Sequence, residues 1–257
     1  MQFLFLFLSS LCLVYGFSGQ PLISSHQFVL DQSRLLRIDP SHNEQHSREV
    51  LFWATEILSP TSFLSSSDLY KMAHCAILHD MVDSKYKDQT PLVEAHLQQW
   101  YSEEETSALL RVMHSMSYHK NLNGFPTWLC PGHPYQDIFH LVRQADLLAS
   151  YNIARMIDYR LAQGITDPQI IRDEIHLLFE ERMAKLVERN LFVHTSARSI
   201  ALHLEQVSRY KLSMLDTYPL SLNHSLDIFR HVHYLSLPHL ISRLEELEPQ
   251  QQQQQKD

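Results

Sequence analysis

Apolar residues recur at three- and four-residue steps along most of the chain, and this spacing predicts amphipathic helices. The stretch 42–58 shows the pattern clearly, because Val50, Ala54 and Ile57 fall on one helical face and Ser59-Pro60 ends it. Further helices of this kind are predicted over residues 22–37, 69–81, 89–99, 102–116, 135–163, 168–190 and 196–218. We therefore expect an all-α fold, and the chain contains no internal repeat.

Proline and polar residues mark the expected helix boundaries. Asp39-Pro40 should stop the first helix, the second should begin at Ser41, and Asp68 should cap the third. The stretch 118–133 combines glycines, prolines and an asparagine, so it is predicted to be the one long loop of the domain. Long loops in compact domains are often functional.

Composition and charge narrow the range of functions. Only five glycines occur in 257 residues, which favours long helices over frequent tight turns. The formal net charge is -8, and no run of Lys and Arg is dense enough to bind a nucleic-acid backbone. Large nucleic acids are thus not expected as partners. A small phosphorylated substrate is compatible with this charge, because a bound divalent cation can supply the positive charge that the protein lacks.

Residues 1–19 resemble a signal peptide, because an apolar run from Phe3 to Tyr15 is followed by small residues up to Gly19. Cleavage near Phe17 or Gly19 would place the chain in the secreted fraction or the endomembrane lumen. No Lys or Arg precedes the run, so a short membrane anchor or a buried helix of a cytoplasmic protein stays an alternative. The glycosylation sequon at Asn223 has meaning only on the secretory route.

Two cysteines remain after this leader, and they allow one disulfide at most. Cys75 lies in an apolar helical stretch and is expected to be a buried free thiol, while Cys130 lies in the predicted loop.

Beyond a helical domain over 20–218, we expect a helical extension over 219–248. Residues 249–257 include six consecutive glutamines and are predicted to be a disordered tail, since polyglutamine has no apolar surface to bury.

The strongest chemical signal is the adjacent pair His79-Asp80 at the end of an apolar helical stretch. Burial of such a pair is costly, and a divalent metal that binds both side chains would offset the cost. The alternative is a His-Asp pair at a helix end that is exposed to solvent and binds no metal. His46, near the start of a predicted helix, and Asp146, in the apolar run 141–148, are two further ligand-type residues in apolar helical settings. Three helices thus each offer metal ligands.

The order His46, His79-Asp80, Asp146, each in its helical context, resembles the HD-domain metal-dependent phosphohydrolase superfamily. The resemblance covers about residues 40–215 and is closest to small single-domain members, in which an acidic residue and a Lys-Tyr or Lys-Phe pair follow the His-Asp pair. It implies a single HD-type helical domain and one divalent ion bound by these four residues. Two imidazoles and two carboxylates suit Mn, Fe, Co or Ni better than Mg, although the family also uses Mg.

The resemblance also implies roles for residues around the ligands. Asp83, expected on the same helix face as Asp80, would position or deprotonate the attacking water, and the alternatives are a helix cap or a salt bridge to Lys85. Lys85 and Arg143 are candidate phosphate contacts, or else structural ion pairs. His114 is the best candidate for a second metal. The stretch 123–126 lacks the spacing and paired histidines of cyclic-dinucleotide phosphodiesterases, so that activity is not assigned.

The leading hypothesis from the sequence is a metal-dependent enzyme that hydrolyses a nucleotide or another small phosphate ester or anhydride. The alternative is a catalytically inactive HD-type helical protein that binds a partner and is secreted if the leader is cleaved. Stoichiometric metal content and turnover distinguish the two.

Overall fold

The computed structural model describes residues 19–58, 64–83, 89–116, 118, 122, 124–217 and 236–247. These residues form helices and contain no strand, so the predicted all-α class is confirmed for them. The helices are α1 (Gln20–Leu36), α2 (Glu44–Ile57), α3 (Ser66–Leu78), α4 (Thr90–Leu97), α5 (Glu103–His114), α6 (Gln136–Ala149), α7 (Ile153–Ala162), α8 (Pro168–Leu178), α9 (Thr195–Thr217) and α10 (Leu237–Leu247).

The core is built around α2, which packs against both α3 and α6. These helices bury most of their apolar side chains: Val50 and Leu51 of α2, Ile77 of α3 and Phe139 of α6 have no or almost no exposed surface. Helix α1 covers α3, and α9 and α10 pack on α6 and α2 respectively. Apolar burial of this kind is the main stabilising contribution, and it fixes the ends of α2, α3 and α6 relative to one another.

The caps differ from two sequence-based expectations. Helix α2 does not begin at Ser41, because the Asp39 carboxylate accepts a hydrogen bond from the Ser41 N–H and holds a 3-10 turn, Pro40–His42. Asn43 then caps α2. Ser65, not Asp68, caps α3: its hydroxyl oxygen accepts from the Asp68 N–H at 3.1 Å, which places Asp68 inside the first turn.

The predicted helix over 135–163 is interrupted. Helix α6 ends at Ala149 and α7 begins at Ile153, because the Asn152 side chain accepts from the Arg155 N–H and caps a new helix. The predicted helix over 168–190 also ends early. Helix α8 ends at Leu178 and is followed directly by a π-helical turn, Phe179–Met183. Both interruptions lie in the half of the chain that follows Asp146.

The C-terminal helix α10 closes onto the N-terminal end of α1. A Cβ atom at Gly19 would lie 2.8 Å from Cγ2 of Ile241, so a larger residue here would displace the Ile241 side chain. Helix α10 lies inside the segment 219–248 for which a helical extension is predicted. Cys75 is buried and Cys130 exposed, and both are free thiols. The leader 1–18, Lys85, Asn223 and the tail 249–257 lie outside the described residues.

No helix in the described part of the chain is both long and apolar enough to cross a membrane.

Candidate metal centre

The four predicted metal ligands lie at helix ends that meet in the core. His46 is in the first turn of α2, Asp146 is in the last turn of α6, and His79 and Asp80 occupy a 3-10 turn, His79–Val82, directly after α3. Because α2 packs against both other helices, these ends are brought to one place.

Ligand atoms of His46, His79 and Asp146 all lie within 4.8 Å of one another, close enough to bind one ion. The shortest of these distances joins His46 Nε2 to Asp146 Oδ1 at 3.2 Å. Asp80 borders the group on both sides, with Oδ2 3.5 Å from His46 Nε2 and Oδ1 3.5 Å from His79 Nε2. All four predicted ligands are therefore side by side.

Several buried polar atoms of this group lack a hydrogen-bond partner within the described part of the chain. They are both ring nitrogens of His46, Nε2 of His79 and Oδ2 of Asp80. His79 Nδ1 donates to the Ala76 carbonyl at 3.0 Å, so Nε2 carries the lone pair that faces the group. Buried lone pairs without partners are costly, and a divalent ion would satisfy them. The residues present thus fit a metal.

The charge states of the group also suit a metal. Burial and the nearby Arg155 charge lower the pKa of His46 to about 3, which keeps this imidazole neutral. Burial alone would raise the pKa of both carboxyls, but the neighbouring imidazoles lower it for Asp80, and His46, His79 and Arg155 lower it for Asp146. Neutral imidazole and ionised carboxylate are the forms that coordinate metals.

The group opens to solvent on one side. Exposed side-chain fractions rise from 1% for His46 and 5% for His79 to 11% for Asp80 and 30% for Asp146. Asp146 is therefore the ligand most accessible to a substrate. Arg155 lies on that side, with a guanidinium nitrogen 3.9 Å from Asp146 Oδ1, and the charge of Arg182 also interacts with Asp146.

Sequence analysis missed both arginines. The predicted continuous helix placed Arg155 far from Asp146, and the Asn152 cap is the signal that could have located it. Arg182 comes close only through tertiary packing of the π-helical turn, for which the sequence offers no comparable signal.

The remaining predicted site residues lie in different settings. Asp83 follows the 3-10 turn in extended backbone, not on a continued helix face as expected, and its N–H donates to the Asp80 carbonyl at 3.2 Å. Arg143 is buried: its guanidinium donates to the Leu191 carbonyl and lies 5.0 Å from the Phe125 ring centre. Burial lowers the pKa of Arg143 to about 10.

His114 does not join the group formed by His46, His79 and Asp146. It is exposed at the end of α5 and lines an open surface groove with Arg111 and Trp128. The structure therefore gives no second cluster of three His, Cys, Asp or Glu ligands within the described residues.

Comparison with known proteins gives a fold likeness and nothing finer. No protein-family model and no curated protein sequence matches the chain. Among solved structures, it is similar to Bacillus subtilis YpgQ, crystallised in complex with ADP, with a TM-score of 0.53 and 17% identity. The match covers 76% of this chain and 96% of that chain. At this identity the likeness shows a shared helical fold.

Proposed function

We propose that this chain is a divalent-metal-dependent phosphohydrolase that acts on a nucleotide or another small phosphate ester or anhydride. The observation that carries the proposal is the convergence of His46, His79 and Asp146 with the Asp80 carboxylate beside them, several of whose buried polar atoms lack a partner within the described residues. The fold likeness to a protein crystallised with ADP agrees with a nucleotide substrate. The HD-type resemblance of the sequence points to the same reaction.

His46, His79, Asp80 and Asp146 would hold the ion. When bound, a divalent ion supplies a polarised phosphoryl oxygen and a water of lowered pKa. Two nitrogen and two oxygen donors suit Mn, Fe, Co or Ni, and Mg remains in the set to be tested. The hydrogen bond from His79 Nδ1 to Ala76 fixes the ring tautomer that leaves Nε2 free.

The flanking residues have distinct proposed roles. Asp83 is tied to Asp80 by its backbone hydrogen bond, and we assign its carboxylate to take a proton from the attacking water. Arg143 is buried beneath Phe125, so it would act on the site through its positive charge. Lys85 is proposed as a direct phosphate contact.

A metal and substrate screen tests the proposal. Purified full-length chain is stripped with chelator, reloaded separately with Mn, Co, Ni, Fe or Mg, and assayed against nucleotides and simple phosphate esters. Asp80→Ala removes a charged ligand and should abolish both metal retention and turnover. His203→Ala changes an exposed histidine of α9 and serves as the control.

Two outcomes would contradict the proposal. Equal turnover by the wild type and by Asp80→Ala would show that the activity comes from a contaminant. Stoichiometric metal binding without turnover of any substrate would favour the inactive, HD-type binding protein instead.

A further inference from the structure

Arg155 is fixed at the open side of the ligand group by two anchors. Its Nε donates to the Ser41 carbonyl at 2.6 Å, which ties it to the turn that precedes α2. Its guanidinium nitrogen Nη1 lies 3.9 Å from Asp146 Oδ1, too far for a hydrogen bond. The side chain is 17% exposed, so solvent reaches part of it, and the hydrogen bond to Ser41 uses only one of its five N–H donors.

Arg182 is a second cation whose charge acts on Asp146. It lies on the π-helical turn Phe179–Met183, and its guanidinium stacks over the Tyr118 ring at 4.1 Å. Its buried Nε finds no hydrogen-bond partner within the described residues. Burial lowers the pKa of Arg182, the Asp146 carboxylate raises it, and the Arg155 charge lowers it. The two arginines therefore interact electrostatically with each other and with the same carboxylate. Such π-helical turns are frequent at functional sites.

The charges of this region leave room for an anion. Asp80 and Asp146 carry two negative charges, which a divalent ion would balance. Arg155 and Arg182 then have no carboxylate of their own within the ligand group, and they repel each other. The net charge of the chain is negative, so the electrostatic potential near these two arginines is more positive than the average over the protein. A partly buried cation without a counter-charge is less stable than a solvated one, and an anionic ligand would supply that counter-charge.

We propose that Arg155 and Arg182 form a clamp for a phosphate group that bears two negative charges, such as a phosphomonoester or a terminal phosphate. A phosphodiester carries a single negative charge and would balance only one of the two cations. The planar guanidinium matches phosphate oxygens in bidentate fashion, which an ammonium does not. This inference rests on the proposed function, because it assigns both arginines to the substrate of the same site.

Binding of small anions to the metal-loaded full chain tests the clamp. Isothermal titration calorimetry at pH 8 compares inorganic phosphate, which is a dianion there, with dimethyl phosphate, a monoanion. The wild type should prefer inorganic phosphate. Arg155→Gln and Arg182→Gln should each weaken phosphate binding about tenfold or more, since each removes a charge-assisted hydrogen bond. Arg155→Lys keeps the charge and should lie between.

Metal affinity supplies the second measurement, and Arg160→Gln supplies the matched control. Arg160 lies on the same helix as Arg155 but pairs with Glu174 at 3.1 Å, so its loss should leave phosphate binding unchanged. Both clamp variants should bind the metal as tightly as the wild type or more tightly, because each removes a positive charge near Asp146.

Three results would overturn the clamp: phosphate affinity in both glutamine variants equal to that of Arg160→Gln, a parallel loss of metal affinity, or no phosphate binding by the metal-loaded wild type. In the last case, metal retention by the wild type but not by Asp80→Ala shows that the ligand group still stands. Melting temperatures show whether each variant is folded. If Arg155→Gln, which loses its bond to Ser41, is unfolded, Arg182→Gln decides.

Discussion

Replacing His46 by leucine should stabilise the metal-free protein and remove its response to metal. His46 is 2% exposed, its Nδ1 has no hydrogen-bond partner within the described residues, and its Nε2 has only the 3.2 Å contact with Asp146 Oδ1 in poor hydrogen-bond geometry. Leucine has a similar size, suits a helix, and leaves no polar atom to be desolvated. A side chain that serves only the metal should thus cost stability when the metal is absent.

The expected magnitude follows from the burial. An unsatisfied buried polar group costs about 1–3 kcal/mol, while the contact of neutral His46 with Asp146 contributes about 1 kcal/mol that leucine gives up. We expect a net gain of about 0–2 kcal/mol for His46→Leu, equivalent to a rise of up to about 6 °C in Tm for a chain of this length. At a metal concentration 100 times Kd the wild type should gain about 2.7 kcal/mol, and the variant nothing.

Thermal unfolding in EDTA and in excess Mn is the assay, and His96→Leu is the matched control. His96 is also buried, but its Nε2 is hydrogen-bonded to the Ser25 hydroxyl at 2.8 Å and its ring stacks on Phe28. His96→Leu should lower Tm in both buffers and keep the metal response. The reasoning fails if His46→Leu is destabilised in EDTA as much as His96→Leu, or if Mn stabilises it as it does the wild type.

Three further predictions concern catalysis, pH and processing. Asp83→Asn should retain metal within about twofold but slow turnover by about 10²–10⁴, as measured by metal titration and steady-state kinetics; unchanged turnover would remove Asp83 from proton transfer. Burial lowers the pKa of His74 to about 4, so the His74 side chain stays neutral in the folded protein. In the unfolded chain the same side chain takes up a proton below about pH 6.5. The free energy of unfolding in EDTA should therefore fall by about 3 kcal/mol between pH 6.5 and 4 on account of this residue, and an identical pH slope in His74→Gln would disprove the assignment. We also propose that the mature chain begins near Phe17 or Gly19, and N-terminal sequencing of native protein that found an intact Met1 in the cytosol would refute this.

The ligand residues could be predicted from the sequence because each interrupts an apolar helical run. A histidine or carboxylate in such a run is predicted to be buried, and the cost of burial demands a partner. His79-Asp80 and Asp146 carry this signal in their neighbours, without knowledge of how the helices pack. Convergence of their ends, however, depends on α2 packing against α3 and α6, which periodicity alone does not give.

The arginines show where local patterns stop being informative. In a continuous helix over 135–163, Arg155 would lie nine residues, or about 13–14 Å, beyond Asp146. The chain instead breaks before α7, and the Arg155 guanidinium lies 3.9 Å from that carboxylate. Apolar residues continue on both sides of the break, and only the capping preference of Asn152 marks it. The boundary between α6 and α7, which the sequence marks only weakly, therefore determines that Arg155 lies beside the ligand group.

Termination of α3 at Leu78 contributes directly to the chemistry of the site. In a continued α-helix the Ala76 carbonyl would accept from the Asp80 N–H. A helix end leaves its last carbonyls without intrahelical partners, and here the His79 ring donates to Ala76 from Nδ1. That bond fixes the tautomer, so the Nε2 lone pair is directed towards His46 and Asp146, 3.9 Å from Asp146 Oδ1. The 3-10 turn then places the Asp80 carboxylate beside both imidazoles. The end of one buried helix therefore provides two adjacent ligands and the hydrogen bond that orients the first of them. For this reason a His-Asp pair at the end of an apolar helix indicates a metal site, whereas an isolated histidine does not.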